Sequence, residues 1–324
     1  MENPTFSVII PAYNAGSTVG VALESVLQQN NVIQIVVVDD GSSDNTLDVV
    51  TSYIYADNRV ELVKQQHTGP GAARNRGMRM ASGEYVSFLD VDDRFEEGAF
   101  LVLSNAIKTF RFPDVVGFDF LPVRDGAMMD RASVVPRPFP VERPSRVTPR
   151  SFLQAMYKLE IGYFSWALCY NTAVLKDSEI GFPTDGRLLE DAYFLNKLLR
   201  TLTGDVALIP EKLVLYTQGN DSVSVSPDSE DLRHAVDYVQ QMLRLAEKDG
   251  SYDLCCVSCT NNLLYLYRMA VRGGYQDLEL EIKRLVNCVA RNADRDLLLP
   301  SDRRRLMLLR LGLLAPTWKM MGRV

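Results

Sequence analysis

Three aspartates close a short apolar run, 84-EYVSFLDVDDRF-95. Val86, Ser87, Phe88 and Leu89 favour a buried strand, whereas adjacent carboxylates repel one another and need a cation, water or hydrogen-bond donors. In an extended chain alternate residues share a side, so Asp90 and Asp92 present two carboxylates together. Oxygen ligands at that spacing suit a hard divalent cation, Mn2+ or Mg2+. Asp93 points the other way, and it is expected to cap a helix starting near Phe95.

Similar polar clusters recur where other apolar runs end. Pro11-Ala12-Tyr13-Asn14 follows the first run, Asp39-Asp40-Gly41-Ser42-Ser43-Asp44 the second and His67-Thr68-Gly69-Pro70-Gly71 the third. The runs at 6–10, 33–38, 60–63, 85–89 and 115–120 read as strands, with helices near 17–29, 43–55, 71–82 and 96–110. Such alternation predicts an α/β fold, a mostly parallel sheet covered on both faces, which binds ligands beyond the carboxyl ends of its strands. Taken singly, each loop is ordinary turn and capping chemistry, with Gly41 turning the chain and Ser42 or Ser43 capping a helix.

Residues 122–150 change character, interspersing six prolines with six arginines, and read as an extended insertion. A helix near 189–202 and short strands near 206–209 and 213–216 follow, and beyond Pro227 the pattern is helical. At 324 residues, with 47% hydrophobic content, the chain has enough material for about two domains. A net charge of −6 argues against general affinity for nucleic acid. The N-terminus lacks a basic run and no segment reaches the roughly 18 apolar residues of a spanning helix, so a cytoplasmic protein is expected. The five cysteines do not form paired knuckles, and Cys256-x-x-Cys259 in a helical segment is not expected to bind metal.

Four loops in this order and wording carry more than any one of them. The stretches SVIIPAYN, VVVDDGSSDNT, GPGAARNRGM and SGEYVSFLDVDD, followed by 166-WALCYNTAVLKDSEIGFPTDGRLLEDAYF-194, resemble the inverting glycosyltransferases of family 2. The likeness is strongest to members that build bacterial surface or capsular polysaccharides, and it covers roughly residues 5–225. It implies a Rossmann-like GT-A fold over 1–226, with a nucleotide-sugar half at 1–120, the insertion at 121–150, an acceptor half at 151–226, and a helical region at 227–324. It also implies a UDP-sugar donor, a glycan or lipid-linked glycan acceptor, and a divalent metal held by Asp92, with Asp90 at the ribose or a metal-bound water.

By the same resemblance Asp40 reads the uracil edge, with Pro11, Ala12, Tyr13 and Asn14 as the adjoining wall; Asp39 could equally take that role. Arg74 is placed near the nucleotide, and a structural salt bridge is the alternative. Glu190-Asp191 matches the family's acidic pair, so Asp191 is the expected base and Glu190 its support, since successive helical residues project about 100° apart. Trp166 suits a sugar face or a core. His67 reads as a solvated loop residue. The segment 216-YTQGNDSVSVSP-227 lacks the Arg or His that many relatives place there, which leaves a third metal ligand unassigned. A Rossmann oxidoreductase would need a GxGxxG after the first strand, and PAYNAGS does not supply it. A non-catalytic nucleotide-sugar-binding scaffold is the other reading.

The C-terminus, 303-RRRLMLLRLGLLAPTWKMMGRV-324, joins six basic residues to leucines and Trp318, with no acid among them. It is expected to rest against an anionic membrane, on the inner face of the plasma membrane, or to pack as a terminal helix.

Overall fold

The computed structural model describes residues 3–124, 127–129, 141–217 and 227–320. The first half alternates as the pattern predicts: β1 (Phe6–Ala12), α1 (Val19–Leu27), β2 (Val32–Asp39), α2 (Thr46–Ala56), β3 (Val60–Lys64), α3 (Pro70–Met80) and β4 (Tyr85–Phe88). Strands β1, β2 and β4 are buried almost throughout, as strands covered on both faces must be. They run parallel, with Ala12 level with Asp39 and Asp39 level with Lys64, so their carboxyl ends form one rim.

Next come β5 (Arg94–Phe95), α4 (Ala99–Thr109), β6 (Val115–Arg124), β7 (Ala127–Met128), β8 (Ser145–Val147) and α5 (Pro149–Tyr157). They are followed by β9 (Leu168–Asn171), α6 (Thr172–Asp177), α7 (Glu190–Thr201) and β10 (Val206–Thr217). The sheet order is β3-β2-β1-β4-β9-β6-β10-β5. Its long strands are parallel except β9, which runs against both β4 and β6.

Three local expectations change. The two short strands near 206–209 and 213–216 are one strand, β10, whose register slips between Leu208 and Val214. Pro210 lies inside that slip, where its missing N–H costs no ladder bond. The stretch read as extended contains β8 and the start of α5, which Thr148 caps by accepting from the Ser151 N–H. Asp93 caps no helix, because α4 begins later, at Ala99, after Gly98 in a left-handed conformation.

Helix α3 lies unusually close to its neighbours. A Cβ on Gly77 would come within 2.3 Å of Ile9 Cγ2, and one on Gly71 within 2.1 Å of the Pro183 carbonyl oxygen. Only glycine permits that approach, which brings α3 against both the sheet and the loop leading to α7.

Helices α8 (Ser229–Lys248), α9 (Tyr252–Gly273), α10 (Gln276–Asn292), α11 (Pro300–Arg310) and α12 (Leu314–Met320) complete the chain. Asp228 and Asp231 form a capping box that starts α8. The helices' apolar residues continue the core of the sheet. Leu306, Leu309, Leu314 and Trp318 turn inward, with Trp318 beside Tyr267 at 6.0 Å, so the apolar side of the basic tail is largely packed against protein. Among the described residues no helix is long and apolar enough to cross a membrane.

Candidate active site

At the rim, Asp40 is buried and saturated. One carboxylate oxygen accepts from Gln65 Nε2 (2.7 Å) and the Thr68 N–H (2.8 Å), and the other accepts from the Gly69 N–H (2.8 Å) and lies 2.9 Å from His67 Nδ1. Asp39 is equally buried, but its oxygens meet only the Ser42 N–H, at 3.3 and 3.4 Å, among the described residues. Asn14, at φ 47°, accepts from the Ser43 N–H at 2.8 Å and so ties the first loop to the second. Pro11 and Ala12 end β1 beside Tyr13, which is 47% exposed. The Tyr13 ring stacks on His67 with centroids 4.2 Å apart. His67 is half exposed in its loop, as its sequence context suggests, and its ring also forms part of the rim. Its place two residues before Gly69, in a loop at a strand end, is the signal that could have marked it.

Arg74 is the centre of a second, acidic cluster. Helix α3 holds it buried, with its guanidinium 5.3 Å from the centre of the Phe182 ring. Its Nη2 donates to Asp90 Oδ1 at 2.8 Å, and its Nη1 lies 3.4 Å from Glu190 Oε1 and 3.7 Å from Asp191 Oδ1. Glu190 and Asp191 open α7, after Leu189 in a left-handed conformation, and both reach the same nitrogen despite their helical offset. Asp191 also accepts from the Ser165 N–H (3.1 Å) and Oγ (2.9 Å). Ser165 starts a single 3-10 turn over Ser165–Ala167, just ahead of β9.

One guanidinium thus faces three carboxylates, and the acidity of Glu190 and Asp191 reflects their surroundings. Burial, then the neighbouring Asp191, pushes Glu190 up to about 8 against the pull of Arg74. Asp191 is also raised by burial, with Arg74 opposing. The carboxylates hold Arg74 firmly protonated in spite of its burial. Asp92 lies at the mouth, exposed, and is raised by the protein around it and then by Asp90.

Asp90 and Asp92 supply oxygens at one mouth, and the Asp92 carboxylate meets no donor of another residue among the described residues. That donor set fits a hard divalent cation which fills its remaining positions with water or phosphate oxygens. No group of three His, Cys, Asp or Glu close enough to hold a metal occurs among the described residues. Asp93 is fully buried instead of capping a helix. It accepts from the Thr217 N–H at 2.7 Å, its other oxygen is unpartnered, and it is raised well above the usual carboxylate range by burial and then by Asp90 and Asp92. Trp166 is a core aromatic, packed with Phe120 and Phe164 and stacked on Tyr216 at 5.1 Å. Residues 218–226 of the polar segment lie outside the described residues.

The loop entering α7 is held from behind by α8. Arg187 forks onto Asp231 (2.6 and 3.1 Å), Tyr238 donates to Asp185, and a Cβ on Gly186 would sit 2.8 Å from His234 Cβ. Nothing in the sequence pairs these residues, because their separation of about 50 positions exceeds any helical or strand period.

Residues 7–125 match the sequence model of glycosyl transferase family 2. The chain is 26% identical over 226 residues to the uncharacterized glycosyltransferase EpsJ of Bacillus subtilis, covering 69% of this chain and 64% of that one. It is 30% identical over 232 residues to the poly(ribitol-phosphate) beta-N-acetylglucosaminyltransferase TarS of Staphylococcus aureus, covering 69% of this chain and 38% of TarS. The chain therefore spans less than two thirds of the length of these curated relatives. The crystal structure of residues 1–349 of S. aureus TarS in complex with UDP-GlcNAc superposes with a TM-score of 0.66 at 20% identity, covering 98% of this chain and 92% of that one. Residues 7–125 of this chain thus carry a glycosyl transferase family 2 domain, and the GT-A fold is its framework.

Proposed function

We propose that the chain moves a sugar from a UDP-sugar to a hydroxyl of a glycan or lipid-linked glycan, with inversion, in the assembly of a surface polysaccharide. The observation that carries this reading is Arg74, which joins Asp90 on the donor rim to Glu190 and Asp191 at the start of α7. A relative that transfers N-acetylglucosamine and a similarly folded structure in complex with UDP-GlcNAc support the donor class.

Each residue has a role that its surroundings support. A carboxylate at a strand end can accept the uracil N–H. Asp40 has its oxygens committed to its own loop, so Asp39, with lone pairs to spare, is the better base reader, and Pro11 to Asn14 form the adjoining wall. Of the acidic pair, burial and its neighbour push Glu190 up, whereas Asp191, also raised by burial but opposed by Arg74 and oriented by Ser165, is the one placed to take the proton of the acceptor hydroxyl. That hydroxyl attacks the anomeric carbon on the face opposite the diphosphate, which inverts the centre. Asp92, with Asp90, would hold a divalent cation, Mn2+ or Mg2+, which when bound offsets charge on the departing diphosphate.

A peripheral contact with an anionic membrane is kept in narrower form. With Leu306, Leu309, Leu314 and Trp318 turned inward, the contact falls to the outward residues Arg303, Arg304, Met307, Arg310, Leu311 and Leu313.

The test is a screen of UDP-sugars for slow hydrolysis to UDP with and without Mn2+. Hydrolysis of at least one donor, lost with chelator, is expected. Tight UDP-sugar binding with no release of UDP from any donor would mark the non-catalytic scaffold instead.

A further inference from the structure

Helices α10 and α11 enclose a cleft of about 630 Å3 lined by Lys283, Asn287, Ala290, Arg291, Arg295 and Arg310. Lys283, Asn287 and Arg291 recur every four residues and so share one face of α10. Four cations and no acid line this cleft, and none of the four makes an ion pair or side-chain hydrogen bond among the described residues. Neighbouring arginines are satisfied: Arg303 donates to the Leu298 and Asp296 carbonyl oxygens, and Arg305 pairs with Asp302. In a chain of net charge −6, four uncompensated like charges around one cavity are a local reversal of the overall balance. Water alone offers them weak compensation, whereas a multiply charged oxyanion matches them.

The cleft opens into a second cavity of about 620 Å3 that shares Ala290, Arg295 and Arg310 and continues over Leu298, Leu306, Met307 and Leu311, with Asp296 and Arg303 also on its wall. Met307 and Leu311 are 56% and 63% exposed there. A free phosphate would use the basic half and leave this apolar floor wet. An amphiphile uses both.

We propose that the two cavities together bind an anionic phospholipid of a membrane, its phosphate among Lys283, Arg291, Arg295 and Arg310 and the start of its chain over Met307 and Leu311. The site deepens the membrane contact proposed above, on which it rests, and is separate from the transfer chemistry. The cations supply attraction that salt weakens, and the apolar floor supplies a part that salt does not.

The experiment is sedimentation of the full chain with vesicles of phosphatidylcholine alone and vesicles part-replaced by phosphatidylglycerol. Wild type is expected to bind the anionic vesicles only. The double variant Arg295→Gln/Arg310→Gln, at exposed positions, should bind roughly 30-fold more weakly at low salt, at about fivefold per basic side chain. Met307→Gln/Leu311→Gln should weaken binding at both low and high salt. A control of equal charge change on α8, Arg244→Gln/Lys248→Gln, should bind like wild type. Equal loss in that control, or equal binding to neutral vesicles, overturns the proposal. So does wild type that binds inorganic phosphate at the cleft but no vesicle, which would make it a free-phosphate site. UDP-sugar hydrolysis, measured on the same variants, should be unchanged, and its absence throughout would sink the transfer reading while leaving the vesicle result to stand or fall alone.

Discussion

Two acidic pairs lie at the ends of the strands flanking β1, Asp39-Asp40 at the end of β2 and Asp90 with Asp92 after β4, and their surroundings differ sharply. The N–H groups of Thr68 and Gly69 and the Gln65 amide reach Asp40, so its charge is spent on fixing a loop. Asp90 shares a single arginine with Glu190 and Asp191, and Asp92 stands open. Carboxylates with a full set of donors shape the rim; carboxylates short of donors are the ones a cation or substrate can complete. Equal residue types at equal positions on a sheet thus divide into scaffold and chemistry by the number of N–H groups aimed at them.

The sharpest way to break that contrast is Arg74→Met. It leaves three carboxylates around a buried void without their cation, and should cost about 3 to 5 kcal/mol of unfolding free energy at neutral pH. The loss should shrink toward pH 4 as Glu190 and Asp191, both raised by burial, take up protons, and a pH-independent loss in urea melts would show that Arg74 acts by packing. Asp191→Asn comes next. It should leave UDP-sugar binding within a few-fold of wild type and reduce transfer by roughly 10²-fold or more. Survival of transfer would move the base to Glu190.

Asp92→Ala should reduce the Mn2+ enhancement of UDP binding, measured by calorimetry, by roughly tenfold or more, given that even outer partners of a metal cost that much. An undiminished enhancement would remove Asp92 from the metal. The smallest effect is expected behind the site, at Asp231→Asn. Burial opposes ionisation of Asp231, but hydrogen bonds and charge from Arg187 outweigh it and hold the carboxyl below its ordinary value. Its contribution is therefore present above the ordinary value of 3.8 and lost as pH falls through the lowered one. Because Arg187 is 37% exposed, solvent screens the pair and the substitution should cost only about 1 kcal/mol. If α8 aligns α7 through this pair, kcat should also fall a few-fold while KM for the donor holds; an unchanged kcat would confine the pair to stability.

The alternating strands, the four rim loops and the acidic residues were legible because each is written within one element: a run of apolar residues, a glycine turn, two aspartates one residue apart. The bonds that join elements were not. Arg74 meets Glu190 across 116 positions, and that meeting depends on Gly71 and Gly77 letting α3 sink onto the sheet and the 182–183 turn. Glycine advertises a turn in a sequence far more readily than a close approach. Pro210 misled in the opposite sense, since a proline reads as a break in a strand but sits here within a register slip of β10. Likewise the leucines of the tail declare amphipathicity without saying whether protein or membrane receives them; Leu309 and Leu314 go to the protein.

The reversed strand β9 has a mechanical consequence. Hydrogen-bonded to β4 on one side and β6 on the other, it rivets the strand that leads to Asp90 to the second half of the sheet. Cys169 marks the rivet's midpoint, paired with Ser87 and Val116 at once. A seam sewn on both edges cannot open like a clamshell without tearing a ladder on one side. Under the proposed function, the distance between leaving group and base would then be a fixed gauge, and discrimination among sugars would fall to the loops that overhang it.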